Sequence, residues 1–204
     1  MMWDVFNVIG TIAFALSGAM VALSEECDYD LFGVYFLGFT CAFGGGTIRN
    51  LLIGVPVEKI WEQSSLFIIA FIAISLLFFF PAHLSRHFNK WGNLVDAVGL
   101  GAFAIQGALY AKEMGHPLSA IIVAALLTGC GGGIIRDLLA GRKPLVFRDE
   151  LYASWTIVTA VAISYNVVVT DMELYGLFMV VTVLRLLSLR FQWRLPKARI
   201  NVQA

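Results

Sequence analysis

The chain is poor in charge. Of its 204 residues only 14% are charged and 59% are hydrophobic, and the fourteen basic and fourteen acidic side chains cancel. Roughly a quarter of a soluble domain is charged. An ordinary soluble domain is therefore excluded, and the net charge gives no footing for a nucleic-acid partner. Cysteine and histidine are scarce, at three residues each. Cys41 and Cys130 sit in apolar runs and Cys27 in a short acidic loop. That spacing suits neither a disulfide nor a metal, so free thiols and no metal site are expected. No phosphate-binding loop, zinc motif or Ser/His/Asp signature is present, so neither an enzyme nor a cofactor is expected. The start, MMWDVFN, carries Asp4 and no basic residue. The first apolar run is thus expected to be a retained span and not a cleaved signal.

Apolar runs fill most of the chain. Spanning a bilayer takes ~20 such residues. Seven segments meet that length: 5–23, 31–54, 65–83, 93–111, 118–141, 151–169 and 172–190. The expected fold is an all-α integral membrane protein of seven transmembrane helices.

Placement of the basic residues orients it. One side holds Lys59 and Lys112. The other holds Arg86, Lys90, Arg142, Lys143, Arg148, Arg190, Arg194, Lys197 and Arg199, nine against two. The basic side is cytoplasmic, which sets the N-terminus outside and the C-terminus inside a cell (inner) membrane. Trp3, Trp61, Trp91, Trp155 and Trp193 all fall near span ends, as an aromatic belt requires.

One stretch occurs twice. Residues 44–54 read GGGTIRNLLIG and 131–141 read GGGIIRDLLAG, identical at eight of eleven positions. Residues 10–19, GTIAFALSGA, match 99–108, GLGAFAIQGA, at glycine, alanine and phenylalanine positions. The repeat unit is three spans: residues 1–88, then 89–169, with 170–204 supplying the seventh helix and a basic tail. An odd number of spans per unit makes the repeat inverted, with the pathway expected at the interface of the two units.

Each glycine costs a helix about 1 kcal/mol relative to alanine. The triplets Gly44, Gly45, Gly46 and Gly131, Gly132, Gly133 are therefore expected to break or kink spans two and five. Arg49 and Arg136 follow, and an arginine inside a span marks a functional site by default. The repeat sets one toward each membrane face. Asn50 and Asp137 come next, and adjacent helix residues point apart. Asp96, whose equivalent is Asn7, is a candidate partner or a helix-start residue. Arg185 is expected to snorkel, and His83, His87 and His116 to be solvated. Gly18 with Ala22, Ala97 with Gly101, and Ala104 with Ala108 are expected to serve packing.

These doubled GGGxxR[DN]xxxG motifs in a seven-span chain resemble the prokaryotic trimeric intracellular cation (TRIC) channels, also labelled glycine transporter domain or UPF0126. The resemblance covers nearly the whole chain. It implies a homotrimer with one hourglass pore per protomer, conducting monovalent cations, K+ in preference and Na+ besides. It implies kinked helices two and five, basic pore-lining positions at Arg49 and Arg136, and contact with membrane lipids. The lysine-containing lipid motif of eukaryotic relatives is not matched by Lys112 and Glu113. The residues themselves leave two other readings open. Inverted repeats with broken helices also build secondary transporters of small solutes such as glycine. Arginines beside half-helix N-termini suit an anion channel.

Overall fold

A computed structural model describes residues 2–24, 26–79, 88–147 and 151–193. Within these lie seven α-helices and no strand: α1 (Met2–Ala22), α2 (Leu31–Leu52), α3 (Ser64–Phe79), α4 (Phe88–Glu113), α5 (Leu118–Leu139), α6 (Tyr152–Ser164) and α7 (Asp171–Phe191). All but α6 are long and apolar enough to cross a membrane, α3 when taken together with the helical turns before it as Glu58–Phe79. The chain is an all-helical, multi-pass membrane protein.

Local signals start the helices. Asp30 accepts the Gly33 N–H at 2.8 Å and caps α2. Thr170 and Glu173 form a reciprocal capping box at the head of α7, which satisfies donors the helix itself cannot. A 3-10 helix, Val57–Gln63, leads into α3.

The sixth span is shorter than the apolar run from 151 to 169 suggested. Its helix has 13 residues, or ~20 Å at 1.5 Å per residue. Lys112 explains the stop. Its ammonium donates to the Ile163 carbonyl and to Asn166 Oδ1, and Asn166 adopts a left-handed φ of 55°. Apolar side chains continue, but the backbone has already turned. The fourth helix is longer than expected because it starts at Phe88, before the loop's expected end at residue 92. Asp96 is consequently two turns inside the helix and not at its start. His83, His87, Arg86, Arg148 and the tail from Arg194 lie outside the described residues.

Helices α1 and α4 are the most enclosed. Helix α1 packs on α2, α3 and α4; helix α4 packs on α1, α5, α6 and α7; α2 and α5 pack on each other. Equivalent positions repeat these contacts. Phe14 of α1 and Phe103 of α4 meet edge to face, 5.1 Å between centroids. Each ring lies over the other helix's glycine, Phe103 against Gly10 and Phe14 against Gly99. A Cβ on either glycine would strike a ring, so both helices need glycine there to come this close. Gly18 serves the same purpose between α1 and α2, where an added Cβ would stand 2.8 Å from the Gly38 Cα.

The expected breaks at the triplets are absent. Helices α2 and α5 run through Gly44–Gly46 and Gly131–Gly133 without interruption. The glycine cost is offset by packing. A Cβ on Gly45 would strike the Leu127 carbonyl and stand 2.9 Å from the Gly132 nitrogen. One on Gly132 would strike the Cys41 carbonyl, and one on Gly131 would stand 3.1 Å from the Gly45 Cα. The triplets let α2 and α5 cross backbone to backbone.

Candidate functional site

The arginines sit where the helices end. In α2 the Ile53 N–H bonds the Arg49 carbonyl, Gly54 takes φ 77°, and the Val55 N–H returns to the Asn50 carbonyl at 2.8 Å. In α5 the Ala140 N–H bonds the Arg136 carbonyl, Gly141 takes φ 68°, and the Arg142 N–H returns to the Asp137 carbonyl at 2.8 Å. This is the Schellman ending, which wants glycine at the left-handed position. It accounts for the glycine that closes each motif. Each end is also held from outside its helix. His116 Nε2–H donates to the Ile53 carbonyl at 3.0 Å, and the Cys27 thiol faces the Ala140 carbonyl at 3.8 Å. His116 is thus a tether, not the solvated residue its position suggested.

Each guanidinium folds back toward its own helix N-terminus, as long helical side chains do. It comes to lie over the last glycine of its triplet. A Cβ on Gly46 would be 3.8 Å from Arg49 Nη2, and one on Gly133 would be 3.7 Å from Arg136 Nη2. A Cβ at either position would rest in ordinary contact with the guanidinium, so the arginine does not demand glycine there. The first glycine of the α2 triplet has a separate neighbour, with Gly44 against the Ile135 side chain.

Both arginines are 3% exposed, and both are fully engaged. Arg49 donates from Nε and Nη2 to Asn50 Oδ1 at 3.0 and 2.8 Å, and from Nη1 to Gln106 Oε1 at 2.5 Å and Thr128 Oγ1 at 3.3 Å. Its guanidinium carbon lies 5.0 Å from the Tyr110 ring centroid. Arg136 donates from Nε to Asp137 Oδ1 at 2.9 Å, and from Nη1 to Asp96 Oδ1 at 2.8 Å and Ser17 Oγ at 2.5 Å. Its Nη2 lies 2.8 Å from Asp137 Oδ1. Asp137 Oδ2 accepts the Leu145 N–H at 3.1 Å.

Two sequence expectations change here, those for Arg136 with Asp137 and for Arg185, and Asp96 takes the first of its two expected roles. Arg136 and Asp137 are neighbours in sequence and a pair in space, because the arginine curls back and the carboxylate reaches across. Asp96 is a buried partner of Arg136. Arg185 does not snorkel: it is fully buried, with its guanidinium 4.3 Å from the Tyr152 ring centroid. Ser17, Gln106, Thr128 and Tyr110 belong to the centres and were not singled out from sequence. A signal existed for two of them: Ser17 and Gln106 are the equivalent polar positions of GTIAFALSGA and GLGAFAIQGA.

Each centre borders open space. Arg136, Asp96, Asn93 and Ser17 line a cavity of about 370 Å³. Arg49, Asn7, Gln106 and Thr128 line a narrow gap of about 30 Å³, near the volume of one water. A hollow of about 490 Å³ shares Asn7 and Gln63 with that gap and also carries Asp4, Lys59 and Glu62. The Arg136 cavity and the Arg49 gap have no lining residue in common. Among the described residues no group of His, Cys, Asp and Glu could hold a metal ion.

Fold and site together define a helical membrane protein with two related buried arginine centres flanking a glycine crossing. The family model described as "Glycine transporter" matches residues 4–82 and 93–169. The UPF0126 membrane protein YvgT of Bacillus subtilis is 59% identical over 96% of this chain and 96% of its own. A solved structure described as the structural basis for conductance through TRIC cation channels shares 35% identity, with TM-score 0.81, over 99% of this chain and 100% of that one. The TRIC trimeric intracellular cation channel orthologue from Rhodobacter sphaeroides shares 29% identity, with TM-score 0.83, over 93% of this chain and 98% of that one. The chain belongs to this family, the glycine-transporter-domain, UPF0126 or prokaryotic TRIC proteins.

Proposed function

We propose that the chain is a potassium-preferring channel for monovalent cations, a homotrimer with one hourglass pore per protomer. The observation that carries this reading is the full-length likeness, at 35% identity, to a structure described as a TRIC cation channel. The trimer rests on the description of the Rhodobacter sphaeroides relative. In this reading residues 1–88 and 89–169 are inverted halves, and the pore follows their interface past Arg49, the Gly45–Gly132 crossing and Arg136. The nine-to-two bias of basic residues sets Arg49 toward the outside and Arg136 toward the cytoplasm of the cell membrane.

The arginines are the difficulty for a cation path, and the unbroken helices sharpen it. Carbonyls released at a helix break would attract cations, but α2 and α5 release none at the triplets. Side-chain oxygens take that role in this reading: Asn7 and Gln106 beside Arg49, Asp96 and Asn93 beside Arg136. The arginines act as gates that also brace the helices. Lys112 is occupied with the end of α6, so membrane lipids touch the apolar outer faces and not a lysine headgroup site there.

The description of the family model as a glycine transporter supports a second reading, secondary transport of glycine or a similar small solute. One recording separates them. In a planar bilayer under a KCl gradient, unitary currents reversing near the potassium potential are expected. Reversal near the chloride potential would make the protein an anion channel. Saturable glycine uptake by proteoliposomes without unitary currents would make it a transporter.

A further inference from the structure

Two residues outside the motifs repeat each other's place. Tyr29 lies fifteen residues before Gly44, and His116 lies fifteen before Gly131. Each stands two residues before a motif helix, α2 and α5 respectively. Each follows a residue in the left-handed region, Asp28 at φ 46° and Gly115 at φ 75°. Each backbone N–H reaches back to the helix before it, Tyr29 to the Ala22 carbonyl and His116 to the Ala111 carbonyl, both at 3.1 Å. Gly33 leaves the room that the tyrosine needs, since a Cβ there would stand 2.8 Å from the Tyr29 Cβ.

The side chains make the same reach. The Tyr29 hydroxyl donates to the Leu139 carbonyl at 2.8 Å, and His116 Nε2–H to the Ile53 carbonyl at 3.0 Å. Both acceptors are among the last carbonyls of a helix end, which the helix itself leaves without a donor. So the head of α2 holds the end of α5, and the head of α5 holds the end of α2. Both ties sit next to an arginine. The Leu139 carbonyl and the Ala140 N–H form one peptide group, tied to Tyr29 through its oxygen and to the Arg136 carbonyl through its N–H. Ile53 is tied to His116 through its carbonyl and to the Arg49 carbonyl through its N–H. Neither Tyr29 nor His116 lines the spaces beside the arginines. Helices α2 and α5 thus cross at Gly45 and Gly132 and are tied at both pairs of tips. A pivot about the crossing works against both ties.

We propose that Tyr29 and His116 are positioning residues that together hold the gate shut, Tyr29 for Arg136 and His116 for Arg49. Each hydrogen bond is made in this conformation and lost, with its turn loosened, when the crossing angle of α2 and α5 changes. The conformation is closed at Arg49, where the gap has room for about one water. A bond made in only one of two states biases the equilibrium between them, and one of ordinary net strength shifts it roughly two- to tenfold. The ties lie about 30 Å apart, the length of a 22-residue helix. Sites so far apart act independently unless one element joins them. The unbroken pair α2 and α5 is that element. The inference rests on the channel reading for its gating role, whereas the ties themselves need no conduction.

The test is single-channel recording of the full chain in KCl, beside amide hydrogen exchange of the same protein in proteoliposomes. Tyr29→Phe removes one hydroxyl, and His116→Phe removes one N–H donor. Each should raise the ratio of open to closed time roughly two- to tenfold and leave the unitary conductance unchanged. His116→Gln keeps an N–H donor and should stay within about twofold of the unaltered protein. Exchange should quicken in residues 53–55 and in residues 140–142 alike, whichever tie is cut. An unmoved open-to-closed ratio in both phenylalanine variants, with only Tm lowered, overturns the proposal. So does exchange that quickens only in the turn whose own tie was cut, since the two ties would then not act together. If the unaltered protein passes no cation current, the channel reading falls and the exchange pattern alone decides the ties. If it conducts and the variants match it in both measurements, the ties fall and the channel reading stands.

Discussion

Asn50 and Asp137 occupy equivalent places after equivalent arginines, and each accepts twice from its neighbour's guanidinium through a single Oδ1. The geometry is shared and the charge is not. Arg49 keeps its positive charge and Arg136 is paired with two carboxylates.

That difference predicts which centre opposes cations. Asn50→Asp adds a carboxylate next to Arg49 without changing its size. If the charge on Arg49 restrains cation entry, unitary K+ conductance should rise roughly two- to tenfold, since each 1.36 kcal/mol off a barrier is tenfold in rate. The effect should be weighted to currents entering from the N-terminal side of the membrane. Unchanged conductance in a well-folded variant would place Arg49 off the ion path.

The middle glycines should be costly to replace, and the last ones should not. Gly45→Ala and Gly132→Ala aim a methyl at the backbone of the other helix, which cannot turn aside. Overpacking of this kind costs about 1–3 kcal/mol. Gly46→Ala and Gly133→Ala meet nothing nearer than 3.8 and 3.4 Å and gain helix propensity. Thermal unfolding of the four variants should divide them two and two. A uniform response would mean that the crossing at Gly45 and Gly132 does not govern stability.

The closing glycines give a conformational test. Gly54 and Gly141 hold φ of 77° and 68° with no atom near a would-be Cβ. Alanine there is strained by backbone alone, about 1 kcal/mol. Asparagine, which tolerates the left-handed region, should recover about half of the loss. Melting temperatures of Gly141→Ala and Gly141→Asn measure this directly.

How much of this was legible in the sequence differs from feature to feature. Six of seven spans followed from apolar length, because a bilayer imposes one length on every crossing. The sixth did not, because Lys112 and Asn166 end its helix while apolar residues continue. The motif residues were legible because the chain writes them twice. Their function was not. Three glycines suggest a broken helix when propensity alone is weighed, but the contact between Gly45 and Gly132 is tertiary, and it outweighs propensity. The partners of the arginines were half visible. Asp96 could be suspected as an acid in an apolar helix. Ser17, Gln106 and Thr128 are ordinary polar residues that only the folded geometry brings to a guanidinium. Arg185 was misread because nearness to a span end does not reveal that Tyr152 lies over it.

The arginines themselves should respond unequally, and the inequality follows from what each leaves behind. Arg49→Ala strands the neutral acceptors Asn50 Oδ1 and Gln106 Oε1 in a buried place, which costs about 1–3 kcal/mol. Arg136→Ala strands two carboxylates, Asp96 and Asp137, that are 2% and 4% exposed. Removing one member of a buried ion cluster costs about 3–5 kcal/mol. For a chain of this size each kcal/mol moves Tm by about 2–4 °C. Arg136→Ala should thus melt several degrees below Arg49→Ala. Adding Asp137→Asn to Arg136→Ala removes one stranded charge and should restore part of the difference. Neutralising Asp137 alone leaves Arg136 paired with Asp96 and should be milder than either arginine variant. Single-channel recording of the same proteins separates bracing from gating. A gate changes open probability or conductance in whatever fraction remains folded, whereas a brace only lowers the number of active molecules. Unchanged unitary current in folded Arg136→Ala, together with the lowered Tm, would reduce Arg136 to a brace.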